Sequence, residues 1–161
     1  MRSLCAGFLV AALIFLGHGG ALAQEQSPLV GKKAPDFTLE RVSGSSASLS
    51  QVIKDKKAIV FFFATWCPHC REQLKQIAGR KADLDKQGVV IVLVNVGESK
   101  DTAAKFLKDR GIAYDTFLDV NSFVSEVYQV AGIPTLVFIG TDGKIRYVEY
   151  GLPDNYEEIL K

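Results

Sequence analysis

Two near-continuous apolar runs mark the middle of the chain. Residues 58–64 read Ala-Ile-Val-Phe-Phe-Phe-Ala and residues 89–96 read Val-Val-Ile-Val-Leu-Val-Asn-Val. Runs this short and this apolar predict strands covered on both faces. The period then changes. Cys70, Leu74, Ile77 and Ala78 recur at helical spacing, and Leu84 continues the same side. Ala103, Phe106 and Leu107 mark a second helix that Gly111 stops. Val124, Val127 and Tyr128 mark a shorter one after Asn121 or Ser122. Residues 135–139 form a third apolar run, and Asp142-Gly143 predicts a turn into a partner strand at 145–150. Residues 156–161 begin a last helix. Ahead of the core, Phe37-Thr38-Leu39 and Ala47-Ser48-Leu49 flank Ser43-Gly44-Ser45-Ser46, a hairpin pattern, and residues 49–54 suit a helical turn. The order β-α-β-α-β-β-α predicts an α/β fold, a mixed sheet with helices on both faces.

The start of the chain follows another pattern. Arg2 supplies a positive charge, Leu4 to Leu16 is a 13-residue apolar stretch, and Ala21-Leu22-Ala23 fits an A-x-A cleavage site. Residues 1–23 are expected to be a signal peptide and 24–161 the folded domain. The alternative is a retained anchor. A membrane span needs about 20 apolar residues, and Gly17-His18-Gly19-Gly20 interrupts this one early. Export to the periplasm or beyond follows, into a compartment where disulfides persist.

Cleavage would change the chemistry on offer. Cys5 and His18 would leave, so that Cys67, Cys70 and His69 remain. Arg2 would leave with no acid, taking the formal charge from +1 to zero. A neutral chain carries no basic surplus for nucleic acid. With 161 residues, 48% apolar and 23% charged, it is one ordinary domain.

The candidate chemistry is Trp66-Cys67-Pro68-His69-Cys70, between the first buried strand and its helix. Cysteines three apart close too short a loop to staple a fold. At a helix start, unpaired N–H groups and the dipole favour a thiolate. Cys67 is expected to be exposed there and to attack. Cys70, on the buried stripe, is expected to resolve the mixed disulfide. Pro68 suits the first helical position. His69 is expected to lower the Cys67 pKa.

This segment after a strand, with Gly132-Ile133-Pro134-Thr135 before a later one, resembles the thioredoxin superfamily. The body looks like its exported TlpA/ResA-like branch. Residues 31–39 resemble that branch's leading strand, a strand and helix between Glu98 and Tyr128 its central insert, and residues 141–145 its hairpin. The resemblance implies a thioredoxin-like mixed central sheet flanked by helices, with an N-terminal β-hairpin and a strand-helix insert. It implies a cis Pro134 facing the cysteines, with Ile133 and Thr135 meeting substrate beside Trp66, which would pack by the disulfide. It implies a thiol–disulfide oxidoreductase acting on cysteine-containing exported proteins, with no cofactor beyond the Cys67–Cys70 disulfide and no metal. Its reductases draw electrons from a membrane donor of the DsbD or CcdA type, some for cytochrome c maturation.

The chain departs from these relatives at the proton acceptor for Cys70. Thioredoxins carry an Asp six residues before the first cysteine, where Phe61 stands. ResA-like proteins carry a Glu six residues after it, where Gln73 stands. Glu72 points about 100° away around the helix, which leaves Glu98 or a water. The Pro-His dipeptide resembles oxidising DsbA-like enzymes, so a disulfide-forming oxidant is the alternative direction. A periplasmic carrier of copper or zinc is an alternative of another class, short of ligands because zinc takes four. A thiol peroxidase is a third, without the Pro-x-x-x-Thr-x-x-Cys pattern around Cys67.

Overall fold

The computed structural model describes residues 26–161. The expected signal peptide lies outside the described residues. Two strands, β1 (Thr38–Glu40) and β2 (Ser46–Ser48), form the expected hairpin. The short helix α1 (Leu49–Ile53) follows at once. Ser48 starts it with a capping box: its hydroxyl accepts Gln51 N, and the Gln51 side chain accepts Ser48 N.

The central sheet has five strands: β3 (Lys57–Phe63), β4 (Val89–Val96), β5 (Asp115–Asp119), β6 (Thr135–Ile139) and β7 (Ile145–Glu149), in the order β5-β4-β3-β6-β7. Strands β3, β4 and β5 run parallel, and β6 and β7 add antiparallel. The helices are α2 (Pro68–Gly79), α3 (Lys81–Lys86), α4 (Lys100–Asp109), α5 (Phe123–Val127) and α6 (Tyr156–Ile159). The architecture is thioredoxin-like, as expected.

Alternation along β3 builds both halves of the core. Ile59, Phe61 and Phe63 face α2, α4 and α6 with Leu74, Ile77, Phe106 and Tyr156. Ala58, Val60 and Phe62 face the hairpin, α1 and α5 with Phe37, Leu49, Phe117 and Tyr128. In β4, Val89, Ile91 and Leu93 join the first layer, and Val92 and Val94 the second. The N-terminal segment covers an exposed sheet edge. Val42 N donates to Thr116 O at 2.9 Å and Arg41 pairs with Asp115 at 3.0 Å, so β5 does not end the sheet bare.

Two elements differ from the pattern. The apolar stripe from Cys70 to Leu84 predicts one helix, but the chain breaks at Arg80 (φ −100°, ψ 9°) into α2 and α3. Gly79, a weak helix former, ends the first piece, yet Leu84 stays buried. Strand β5 shows no apolar run of its own. Its ends are Asp115 and Asp119, and only the family resemblance placed a strand in that stretch.

Candidate functional site

The backbone turns sharply where β3 ends, with Cys67 N donating to Ala64 O at 3.2 Å. Cys67 is the N-cap of α2 (φ −77°, ψ 114°), and Pro68 opens the helix where no N–H is needed. The Cys67 sulfur accepts the Cys70 backbone N–H at 3.1 Å. The two cysteines are disulfide-bonded, with Cα atoms 5.3 Å apart. A sulfur held on one first-turn N–H of a 12-residue helix sits at the positive end of its dipole. That environment stabilises Cys67 as a thiolate once the bond is reduced.

Cys67 is not exposed as expected. It is only 3% accessible, and Cys70 is fully buried. Capping folds the Cys67 side chain back onto the helix, and the Ile133 carbonyl lies 3.7 Å from its sulfur. Trp66, next to Cys67 in the chain, is 67% exposed and is not a core aromatic; the turn at Ala64–Cys67 leaves it on the rim. Pro68 and His69 are exposed on the same rim.

The loop before β6 closes the opposite side. The Ile133–Pro134 bond is cis. Pro134 is buried, Ile133 half-buried, and Thr135 Oγ1 donates to Gly132 O at 2.6 Å. The fold thus brings Trp66, Cys67, Cys70 and Ile133–Thr135 to one end of the sheet. A cavity of about 260 Å³ opens beside Thr135, bounded by Gln129, Ala131, Tyr147 and Tyr150. A larger one of about 540 Å³, lined by Lys33, Asp36, Lys54 and Asp142, lies at the opposite end of β3, away from the cysteines.

The two positions where relatives carry a proton acceptor, and the candidate Glu98, are otherwise engaged. Phe61 is buried in the layer that holds Cys70. Gln73 Oε1 accepts Leu152 N at 2.9 Å, tying α2 to the loop after β7. Gly151 permits that approach, since a Cβ there would stand 3.3 Å from Gln73 Nε2. Glu98 accepts three hydrogen bonds. Its Oε2 takes Thr65 N and Asn95 Nδ2, both at 2.7 Å, and its Oε1 takes the Thr65 hydroxyl at 2.6 Å. Thr65 and Asn95 were not anticipated. The available signal was one polar residue, Asn95, inside an otherwise apolar strand.

Among the described residues, no group of three His, Cys, Asp or Glu side chains stands close enough to hold a metal ion. Among them also, no helix is long and apolar enough to cross a membrane.

A disulfide between cysteines three apart, capping a helix at the end of a thioredoxin-like sheet, defines a thiol–disulfide oxidoreductase. The chain belongs to the AhpC/TSA family, whose profile matches residues 30–148. It is 34% identical over 143 residues to the thiol-disulfide oxidoreductase ResA of Bacillus subtilis, covering 89% of this chain and 79% of that one. It is 31% identical over 161 residues to the thiol:disulfide interchange protein DsbE of Vibrio cholerae, covering 98% and 85%. Among solved structures, the thioredoxin domain of a thiol-disulfide oxidoreductase from Bacteroides vulgatus superposes with a TM-score of 0.73 at 23% identity, covering 82% of this chain and 98% of that one. That last likeness speaks for the fold.

Proposed function

We propose that this protein is an exported reductase of protein disulfides, working through Cys67 and Cys70. The observation that carries the reading is the Cys67 sulfur on the Cys70 N–H at the start of α2. In the reduced protein, the Cys67 thiolate attacks one sulfur of a target disulfide. The target disulfide breaks, one target thiolate leaves, and a mixed disulfide forms at Cys67. Cys70 then gives up its proton to solvent, and its thiolate attacks the Cys67 sulfur. The second target thiolate leaves and the Cys67–Cys70 disulfide remains. Two electrons pass to the target, and the two leaving thiolates take up protons from water according to their pKa values.

His69 and Pro68 tune the Cys67 thiolate in this reading. The cis Pro134 loop, with Ile133 and Thr135, receives the target chain beside Trp66. Residues 1–23 act as a signal peptide cleaved near Ala23, which delivers residues 24–161 to the periplasm. Re-reduction then needs a membrane donor of the DsbD or CcdA type. The likeness to ResA and DsbE supports cysteine-bearing exported proteins as targets, with apocytochromes c among them.

Trapping tests the proposal. The Cys70→Ala variant, expressed in its own host, holds the target as a stable mixed disulfide on Cys67. Partners with haem-attachment cysteines, together with a membrane thiol reductase, are the expected catch. A broad set of newly exported proteins would reverse the direction to oxidation. An empty trap would sink exchange with proteins altogether.

A further inference from the structure

A polar cluster holds the Cys67 loop from within the fold, and the exchange steps leave it without a task. Glu98 sits half-buried just beyond β4. Gly97, at φ +72°, turns the chain there, and its N–H is anchored to Asp119 O at 2.9 Å. The turn sends the Glu98 carboxylate back toward the end of β3. Both of its oxygens grip Thr65, one on the backbone N–H and one on the hydroxyl. Thr65 is two residues before Cys67.

Asn95 supplies the second observation. It is fully buried, and it continues the Val89, Ile91, Leu93 alternation, so it lies on the sheet face that carries α2 and Cys70. Its Nδ2 donates to Glu98, while its Oδ1 has no partner among the described residues. A buried amide with an unmade hydrogen bond costs stability that Val or Leu at this place would not cost. The chain tolerates that cost where the amide can fix the plane of the Glu98 carboxylate. A buried polar atom left unpaired calls for a reason, and a role at a working site is one of them.

We propose that Glu98 is a positioning residue for Cys67, acting through Thr65, with Asn95 orienting its carboxylate. The paired grip on Thr65 fixes the backbone entering Trp66, and thereby the aim of the Cys67 sulfur at the Cys70 N–H. Glu98 is a strut, its oxygens already engaged by three donors, and not the proton acceptor of Cys70. The inference rests on disulfide exchange as such and is independent of the direction or target proposed above.

Conservative and disruptive variants separate these roles. In Glu98→Gln the amide oxygen can accept Thr65 N and Asn95 Nδ2, and the new amide N–H can donate to the Thr65 hydroxyl. The strut survives and the charge goes. Glu98→Ala removes both, and Thr65→Val removes only the hydroxyl half of the grip. The readouts are the Cys67 thiolate titration by ultraviolet absorbance, the reaction rate with an aromatic disulfide reagent, and the thermal midpoint. Glu98→Gln is expected to keep the parent rate. Glu98→Ala is expected to slow it by about tenfold or more, the scale on which a displaced reacting atom costs rate, with a raised thiolate midpoint. Thr65→Val falls between them. Equal loss in Glu98→Gln and Glu98→Ala, with one limb of the pH profile missing, would make Glu98 the proton acceptor and overturn the proposal. So would a lower thermal midpoint in Glu98→Ala with rate and titration unchanged. Should Glu98→Ala fail to fold, a parent-like rate in Thr65→Val overturns it. A parent that does not react with the reagent counts against the function proposed above, while the thiolate titration still reads the role of Glu98.

Discussion

The Cys67 sulfur and the Cys70 backbone N–H face each other across 3.1 Å, and the N-cap conformation of Cys67 holds them there. A hydrogen bond to a charged acceptor contributes about 1.5–3 kcal/mol, and the helix dipole adds to it. Both favour the thiolate more than the neutral thiol, whose sulfur is only a weak acceptor. The neighbours of Cys67 are the exposed Trp66, Pro68 and His69, so water reaches the rim and limits the opposing cost of burial.

Reduced Cys70→Ala protein is therefore expected to react with iodoacetamide at Cys67 with a midpoint below the ~8.5 of a free thiol. The companion Cys67→Ala protein keeps Cys70 inert across the same range, since Cys70 is fully buried. Alkylation rates against pH, read by mass, check both. A Cys67 midpoint at or above that of a free thiol would remove the basis for naming it the attacking sulfur.

Gln73 gives a sharper contrast, because it holds Leu152 N where ResA-like proteins carry an acid. Gln73→Glu keeps an acceptor for Leu152 N, so thermal stability is expected to stay close to that of the parent. It also sets a carboxylate one helical turn from Cys70, on the same side of α2. A negative charge there opposes a second one on sulfur, and the thiol midpoints are expected to rise. Gln73→Leu leaves the Leu152 N–H without its partner at a cost of about 1–3 kcal/mol. Urea unfolding beside thiol titration separates the two effects. Stability lost equally in both variants would show that the Leu152 contact is not what Gln73 supplies.

Much of this architecture was legible because apolar residues dominate it. Strand β4 ran as expected over Val89–Val96, and β3, β6 and β7 fell within a residue of their apolar runs. Strand β5 escaped because its stability comes from neighbours: Asp119 is buried by accepting Val124 N and Ser125 N, a pairing six residues long that hydropathy does not register. The cysteine pair stood out by its spacing. The exposure of Cys67 did not, since it depends on Ile133, 66 positions away. Thr65 was hidden as an ordinary residue of the turn after β3, and Asn95 showed only as one polar residue in an apolar strand, until the Glu98 turn brought a carboxylate to both.

Phe62 tests how far the second core layer supports the site. It is fully buried, and its ring lies 5.2 Å from that of Tyr128 between β3 and α5. Truncating such a ring leaves a cavity, and Phe62→Ala is expected to cost about 3–5 kcal/mol. The loss should appear as a lower urea midpoint with little change in slope. The folded fraction should still form the Cys67–Cys70 disulfide, because Phe62 faces away from the layer that holds Cys70. A loss below about 1 kcal/mol, within the range of an ordinary surface substitution, would mean that this layer is looser than its packing implies.

Tyr128 carries a pH dependence of definite sign. Its hydroxyl donates to Pro35 O at 2.6 Å, anchoring the N-terminal segment against α5. Burial pushes its pKa well above the ordinary tyrosine value, with Asp36 adding in the same direction. The folded state thus holds the phenolic proton where the unfolded chain has lost it. Stability from this group is complete below about pH 10, the value for a free tyrosine, and falls as pH rises toward the folded pKa. Replacing the hydroxyl by hydrogen abolishes that titration. Tyr128→Phe is expected to lose about 0.5–1.5 kcal/mol at neutral pH, the net worth of one hydrogen bond, and then to lose less than the parent between pH 10 and 12. Tyr114, Tyr147 and Tyr156 also have raised pKa values, so the variant keeps a shallower alkaline decline and not a flat line. Thermal midpoints of the two proteins from pH 7 to 12 check this. The curves should converge at the alkaline end. Parallel curves would mean that the Tyr128 hydroxyl is already open to water in the folded protein.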